Sequence, residues 1–450
     1  MDENVQKEYF ELLKFKSVGG DPACFRDCVD CASWLRRWLG KLGFEGEMLY
    51  PESSGAGCIP PPILFAERKG DEGAPTILVY GHYDVQPADP LEEWKTPPFE
   101  PTVIDGRVYC RGSQDDKGQS FAFLCGVRDF LAKDGPKPTM KVVLEGQEES
   151  GSGALEAMAP GLRRKLAADV LLVCDTGAAT GLRPAIIAGL RGVSHFTVRL
   201  SGANRDLHSG EYGGLAPNAA QAMAELVASL HHHDGSIAVA GFKDGVEPPE
   251  NDELRAAEIS TPSKEELESD IGCEPVGGQL GKTLVQRVSF EPTIEVNGIH
   301  SGYGGPGAKT VIPCESVAKI SMRLVPGQTP RSAFEAVRRH LEDNVPRGMK
   351  LSVEDYTPGA AGFRLPLASP LFRLAEHVLS EMDGRGPVFV WDGASIPVVS
   401  AIREASGAAP LLVGWGQPED RIHSPNESYS FVQFDKAREW AVRIISALVG

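Results

Sequence analysis

Apolar residues in the first 180 positions fall into short solid runs, at 76–80, 141–145 and 170–174. Such runs read as strands buried on both faces. Between them lie helical patterns. The stretch 119–131 is apolar nearly all round, as a helix packed on a sheet would be, and 25–42 is amphipathic with its charges on one face. Strands alternating with helices predict an α/β sheet. From about residue 191 the pattern changes. Ala318, Ile320, Met322 and Leu324 alternate with Lys319, Ser321 and Arg323, which predicts a sheet covered on one face only. Strands at 193–200, 291–297, 317–324 and 350–356, with helices at 217–232 and 331–343, suggest a small α+β unit of ferredoxin-like kind. The stretch 234–288 is acidic and punctuated by Pro and Gly, fits neither pattern, and reads as an insertion. Solid α/β character returns after 359, with a strand at 410–414 and helices near 370–382 and 431–448. The second domain, 191–358, is therefore expected to be inserted in a first one made of 1–190 and 359–450.

Length agrees with two domains, because 450 residues exceed what one ordinary core holds. A formal charge of −17 argues against nucleic acid or an anionic membrane as partner, since both would repel an acidic body. No run approaches the roughly 18 apolar residues that span a bilayer, and residues 1–8 lack the pattern of an export signal. The chain reads as cytoplasmic, with its nine cysteines reduced. Cys24, Cys28 and Cys31 share one helix face and read as core packing. The triplet His231, His232 and His233 reads as a solvated helix end.

Candidate chemistry sits where the solid strands end. His82 follows the run at 77–81, Glu148 and Glu149 follow 142–145, Asp175 ends 171–174, and His423 comes soon after 411–413. In an open α/β sheet ligands bind beyond the carboxyl ends of strands, so these residues should converge at one edge, with Asp115 completing the ring. Any one of them alone would pass for a satisfied polar residue, and Asp116 or Glu145 for solvated charge. Two imidazoles and three carboxylates together are what two cations need if one carboxylate bridges them. Such a pair suits amide hydrolysis. Glu148, beside Glu149, is free to act as base while its neighbour binds metal, and Asp84 is placed to accept the other N–H of His82. Glycines at 81, 112, 118, 146, 151 and 153 point to backbone bent tightly around this centre.

The motifs Gly-His-Tyr-Asp-Val-Gln-Pro (81–87), Trp94 with 97–99, Arg-Gly-Ser-Gln-Asp-Asp-Lys-Gly (111–118), Gly-Gln-Glu-Glu-Ser-Gly-Ser (146–152), Asp175 and His-Ser-Pro-Asn-Glu (423–427) run in order along nearly the whole chain. They resemble the dinuclear-zinc exopeptidase family that includes carnosinase, the cytosolic nonspecific dipeptidases, carboxypeptidase G and aminoacylase. The resemblance implies a three-layer α/β/α catalytic domain with an inserted ferredoxin-like lid and dimerisation domain. It implies that His82 and Asp175 hold one zinc, that Glu149 and His423 hold the other, that Asp115 bridges them, and that Glu148 is the general base. A cis peptide between Asp115 and Asp116 is implied as well. Mn²⁺ or Co²⁺ would suit the same donors.

The segment Asp-Leu-His-Ser-Gly (206–210) and the length of the inserted domain are similar to the carnosinase and nonspecific dipeptidase branch. There a histidine reaches across a homodimer to the partner's tetrahedral oxyanion, a role this places on His208. Arg323 matches the family arginine that holds the substrate's terminal carboxylate, Thr310 is a candidate for a hydrogen bond to bound substrate, and Ser395 can contact substrate. One departure stands out. Where the family has Arg-Glu-Gly-Gly-Ser-Ile-Pro, this chain reads Trp-Asp-Gly-Ala-Ser-Ile-Pro (391–397), so the pocket around Trp391 and Ala394 is altered. The expected activity is cleavage of dipeptides or short peptides. N-acyl-amino-acid deacylation or carbamoyl hydrolysis on the same scaffold is the alternative, and a non-catalytic binding subunit a remote one.

Overall fold

The structure is a computed structural model that describes residues 1–51 and 59–450. It has two compact units: Met1–Ala188 with Pro366–Val390 and Val398–Gly450, and Gly189–Leu365 with Trp391–Pro397.

The first unit is built on a mixed sheet whose strands lie in the order Glu45–Leu49, Ile63–Arg68, Thr139–Glu145, Thr76–His82, Val170–Val173, Ala409–Leu412 and Ala185–Leu190. Its four central strands, from Thr139–Glu145 to Ala409–Leu412, are parallel, and those on either side of them are antiparallel. In three of the central strands nearly every residue is buried. Successive side chains of a strand point to opposite faces, so both faces are covered and the unit has three layers. Helix Phe25–Lys41 packs on Glu45–Leu49 and Ile63–Arg68, and Lys117–Leu131 packs on Thr76–His82 and against the C-terminal helix Phe431–Val449. Trp38 meets Phe121 edge-on between the first two of these helices, with ring centres 5.1 Å apart. Cys28 and Cys31 point into this core and Cys24 is half-buried. The register is level where it matters: His82 lies opposite Glu145, Tyr80 opposite Val173, and Val173 opposite Leu412. The parallel strands therefore end along one line.

The second unit carries a four-stranded antiparallel sheet in the order Thr293–Ser301, Glu315–Leu324, Gly192–Ser201 and Lys350–Ala360. With helices Ala219–Ala228 and Pro330–Asp343 this is the βαββαβ pattern of a ferredoxin-like fold. The alternation foretells its faces. Phe196, Val198, Leu200, Ala318, Ile320 and Met322 form the core with Met223, Leu226, Phe334 and Val337 from the helices. Arg323, Lys319 and Arg199 lie on the other face.

The acidic 234–288 stretch is not a bare loop. It holds helices Asn251–Ser260 and Lys264–Ile271, each opened by a capping box, from Glu250 with Glu253 and from Ser263 with Glu266. A π-helical turn, Gln286–Phe290, follows. His232 and His233 are exposed, while His231 is half-buried and pairs its backbone with Ile237. Among the described residues no helix is long and apolar enough to cross a membrane.

Candidate metal centre

His82 is the last residue of its strand, and the tight fit around it begins at Gly81. A Cβ there would meet the Ser120 hydroxyl oxygen at 1.9 Å, so only glycine lets helix Lys117–Leu131 come this close. The buried ring of His82 has Nδ1 3.2 Å from the Asp84 carbonyl oxygen and 3.4 Å from its Oδ1. Its proton is held on that side, which leaves Nε2 directed at Asp115 Oδ1, 3.1 Å away, and Asp175 Oδ2, 3.6 Å away. The other oxygen of Asp115 lies 2.9 Å from His423 Nε2, which in turn is 3.1 Å from Glu149 Oε2.

Donor atoms of His82, Asp115 and Asp175 all lie within 4.8 Å of one another, and so do those of Asp115, Glu149 and His423. Asp115 alone belongs to both groups. The peptide between Asp115 and Asp116 is cis.

The electrostatics fit a cation-binding donor set. Burial works against charge on His82, yet its contacts with Asp115, Asp175 and Asp84 hold its pKa well above that of an ordinary imidazole. Hydrogen bonds to Asp115 and Glu149 push His423 up to about 10. Burial would raise Asp115, but His423 and His82 outweigh it and hold the carboxyl below its usual range. Carboxylates packed this closely require positive charge between them, and among the described residues two imidazoles are the only cations they contact. Hard-to-borderline divalent ions suit such oxygen and nitrogen donors.

The side chain of Glu148 stands beside this set without a hydrogen-bond partner among the described residues. Burial first, then the charges of Asp175, Glu149 and Glu145, raise it to about 8 despite the opposing pull of His82. A carboxylate tuned near neutrality is suited to proton transfer. Its position is set by Asp84, whose two oxygens accept the backbone N–H groups of Glu148 and Glu149 at 3.2 and 3.1 Å. Asp84 thus orients the His82 ring and the glutamate turn together, a wider task than the tautomer role its spacing suggests.

Three more residues shape the centre, and sequence reading gave them no role. Asp116 accepts the His82 backbone N–H at 3.1 Å and the Ser120 hydroxyl at 2.6 Å. Gln86 donates to Glu149 Oε2 at 2.8 Å. Glu427 is fully buried and accepts four donors: the Arg111 guanidinium and the N–H groups of Gly112, Gln114 and Asp115, at 2.9 to 3.1 Å. Its signal in sequence was an acid four residues after His423, inside the motif but with no chemistry of its own to declare.

In the second unit Arg323 donates to Ser395 Oγ at 2.9 Å. His208 and Thr310 are also neighbours. The strand pair Leu207–His208 and Val311–Ile312 joins their segments, and Ser209 N–H donates to the Thr310 carbonyl at 3.1 Å. His208 Nδ1 accepts the Gly210 N–H at 3.0 Å, which leaves Nε2 as an exposed donor.

Paired donor groups sharing one carboxylate at the carboxyl ends of a parallel sheet fit divalent cations, as in metal-dependent hydrolases. Comparison with known proteins gives the family: the profile of Peptidase family M20/M25/M40 matches residues 78–447, and the chain belongs to that family of metallopeptidases. The human Beta-Ala-His dipeptidase is 30% identical over 372 residues, covering 82% of this chain and 73% of that protein. The Cys-Gly metallodipeptidase dug1 of Schizosaccharomyces pombe is 29% identical over 442 residues, covering 94% and 91%. The crystal structure of an M20 family metallo-carboxypeptidase from Sulfolobus solfataricus superposes with a TM-score of 0.86 at 26% identity, covering 100% of this chain and 99% of the other.

Proposed function

We propose that the protein is a metal-dependent dipeptidase in which Glu148 is the general base. The observation that carries this reading is Asp115 shared between two donor groups, with an uncommitted, buried Glu148 at their side. His82, Asp115 and Asp175 would hold one ion, and Asp115, Glu149 and His423 the other, with zinc the first assignment and Mn²⁺ or Co²⁺ compatible with the donors. When bound, such ions supply Lewis acidity toward the scissile carbonyl and lower the pKa of a water. Glu148 accepts that water's proton and delivers it to the leaving amine, so one carboxyl serves as base and then as acid. Asp84 and Gln86 hold the glutamate turn so that Glu149 and Glu148 keep separate tasks.

From the second unit the reading assigns Arg323 and Ser395 to the substrate's carboxylate, since a guanidinium fork matches it bidentately. Thr310 is assigned a substrate hydrogen bond. His208, whose Nε2 is an exposed donor, is assigned to the oxyanion across a homodimer. A cytoplasmic setting fits the eight described cysteines, all of which are thiols.

Replacing Glu148 by Ala is expected to lower turnover at least ~10²-fold while the metal content stays at two ions per chain. Substantial remaining activity removes Glu148 as base. A panel of free dipeptides against N-acetyl and N-succinyl amino acids tests the substrate class, and exclusive acyl turnover would make the protein a deacylase. Mixing His208→Ala with Glu148→Ala protein should restore activity if the histidine serves the partner's site.

A further inference from the structure

Arg191 and Arg323 hang on the same short segment of the second unit. Arg191 donates from Nε to the Gly393 carbonyl at 2.9 Å and from one terminal nitrogen to the Glu291 carbonyl at 3.4 Å. Its backbone N–H faces the carbonyls of Asp392 and Ala394 at 3.3 and 3.2 Å. Two residues further on, Ser395 Oγ accepts from Arg323 at 2.9 Å. The guanidinium of Arg191 lies close against backbone that only glycine permits, because a Cβ on Gly393 would meet the Arg191 terminal nitrogen at 2.9 Å and the Val288 carbonyl oxygen at 2.8 Å. Trp391 packs on Phe290 with ring centres 5.6 Å apart, so the segments on either side of Arg191 are fixed to each other as well.

What this arrangement lacks is a counter-ion. Among the described residues neither arginine forms an ion pair, and the nearest acids are committed or set back. Asp392 Oδ1 accepts the Ala394 N–H at 2.9 Å, while Glu295 acts on Arg191 only at longer range. Burial and then the charge of Arg323 push Arg191 down to about 10, and Asp392 and Glu295 offset only part of this. Two guanidiniums tied to one three-residue stretch, Gly393 to Ser395, with their fixed hydrogen bonds going to neutral oxygens, make a receptor for an anion.

We infer that Arg191 is a specificity-determining positioning residue: with Arg323 it forms a two-arginine site for the free C-terminal carboxylate of the substrate. Arg323 offers its fork to the carboxylate. Arg191 adds the second charge and locks the Trp391–Ser395 segment so that Ser395 holds the Arg323 fork in place. The substrate class that follows is peptides with an unblocked C-terminus, discriminated from C-terminal amides by charge. This inference rests on the dipeptidase reading.

The test compares a dipeptide with its C-terminal amide on the metal-loaded, full-length wild type and on Arg191→Met and Arg191→Lys. Wild type should favour the acid. Arg191→Met should lower the ratio of kcat/KM for acid over amide about tenfold, mostly through KM of the acid, with Arg191→Lys in between, as a charge-assisted contact of ordinary strength requires. An unchanged ratio in Arg191→Met, or an equal loss on both substrates, overturns the inference, the second result marking a purely structural role. If wild type cleaves no dipeptide, the dipeptidase reading fails instead. Calorimetric binding of N-acetylalanine against N-acetylalaninamide then decides the site by itself: a preference for the acid that Arg191→Met removes supports it, and no preference, or one that survives the substitution, overturns it.

Discussion

A carboxylate taken fully out of water must be repaid in hydrogen bonds, and Glu427 finds four of them, three from the backbone around Asp115. It therefore fixes the loop that carries Asp115, the carboxylate common to both donor groups, from a position only four residues past His423. Glu427→Ala should leave three N–H groups without a partner and the buried Arg111 without its counter-ion, a loss of about 3–5 kcal/mol in stability. Metal affinity should fall ~10- to 100-fold, as for loss of a group that orients a ligand. Thermal unfolding and metal titration check both, and wild-type affinity in a folded Glu427→Ala protein would separate the residue from the centre. The contrast with the ligands explains what was legible at this scale. His82, Asp175 and His423 announce themselves because imidazoles and acids after apolar strands are chemically unusual. Glu427, Asp116 and Gln86 reach the centre through partners 34 to 316 positions away, and no local pattern shows such a partner.

Elements were readable where burial writes a period into the chain. The runs ending at His82, Glu145 and Val173 are solidly apolar because both their faces are covered, and 317–324 alternates because one face is not. The short helices within 234–288 left no such mark: Lys264–Ile271 buries none of its residues and Asn251–Ser260 only Glu253 and Ala257. Their caps, not an apolar stripe, hold their ends. Helix Lys117–Leu131 reads correctly as a helix buried all round, but its sequence hides how closely it meets Phe431–Val449. A Cβ at Gly126 would stand 2.4 Å from the Arg438 carbonyl oxygen and 2.5 Å from the Ala441 Cβ. Alanine gains up to about 1 kcal/mol over glycine inside a helix, while overpacking a tight contact costs about 1–3 kcal/mol. The second term wins because the obstacle is backbone of a buried helix, which cannot swing aside. Gly126→Ala should thus destabilise the protein by roughly 1–2 kcal/mol in denaturant unfolding, with metal content unchanged, whereas a net gain in stability would mean the helices separate freely.

At the scale of the whole chain, solid strands give way to alternating ones and back, and Gly189–Leu365 clusters apart from the segments before and after it. Less visible was that the short segment Trp391–Pro397, far along the returning chain, clusters with the second unit through Arg191 and Phe290. The metal centre shows the same long reach in energetic form. Its proposed ligands are drawn from positions 82 to 423, so the unfolded chain offers no preformed site, and the free energy of binding such ions would become free energy of folding. Each ion held at a free concentration a hundred times its dissociation constant adds about 2.7 kcal/mol to the folded state. Chelation should therefore lower the unfolding temperature by roughly 5 °C or more, and added zinc should restore it. The loss has a predicted address, because the five proposed ligands and the proposed base all belong to the first unit. Amide hydrogen exchange should accelerate on chelation around His82, Asp115, Glu149 and His423, where stripped carboxylates repel one another. The core strands Gly192–Ser201 and Glu315–Leu324 should keep their protection, since their stability comes from the apolar face they share with two helices. Uniform deprotection of both units, or none, would show that the cations do not bind where the donor groups converge.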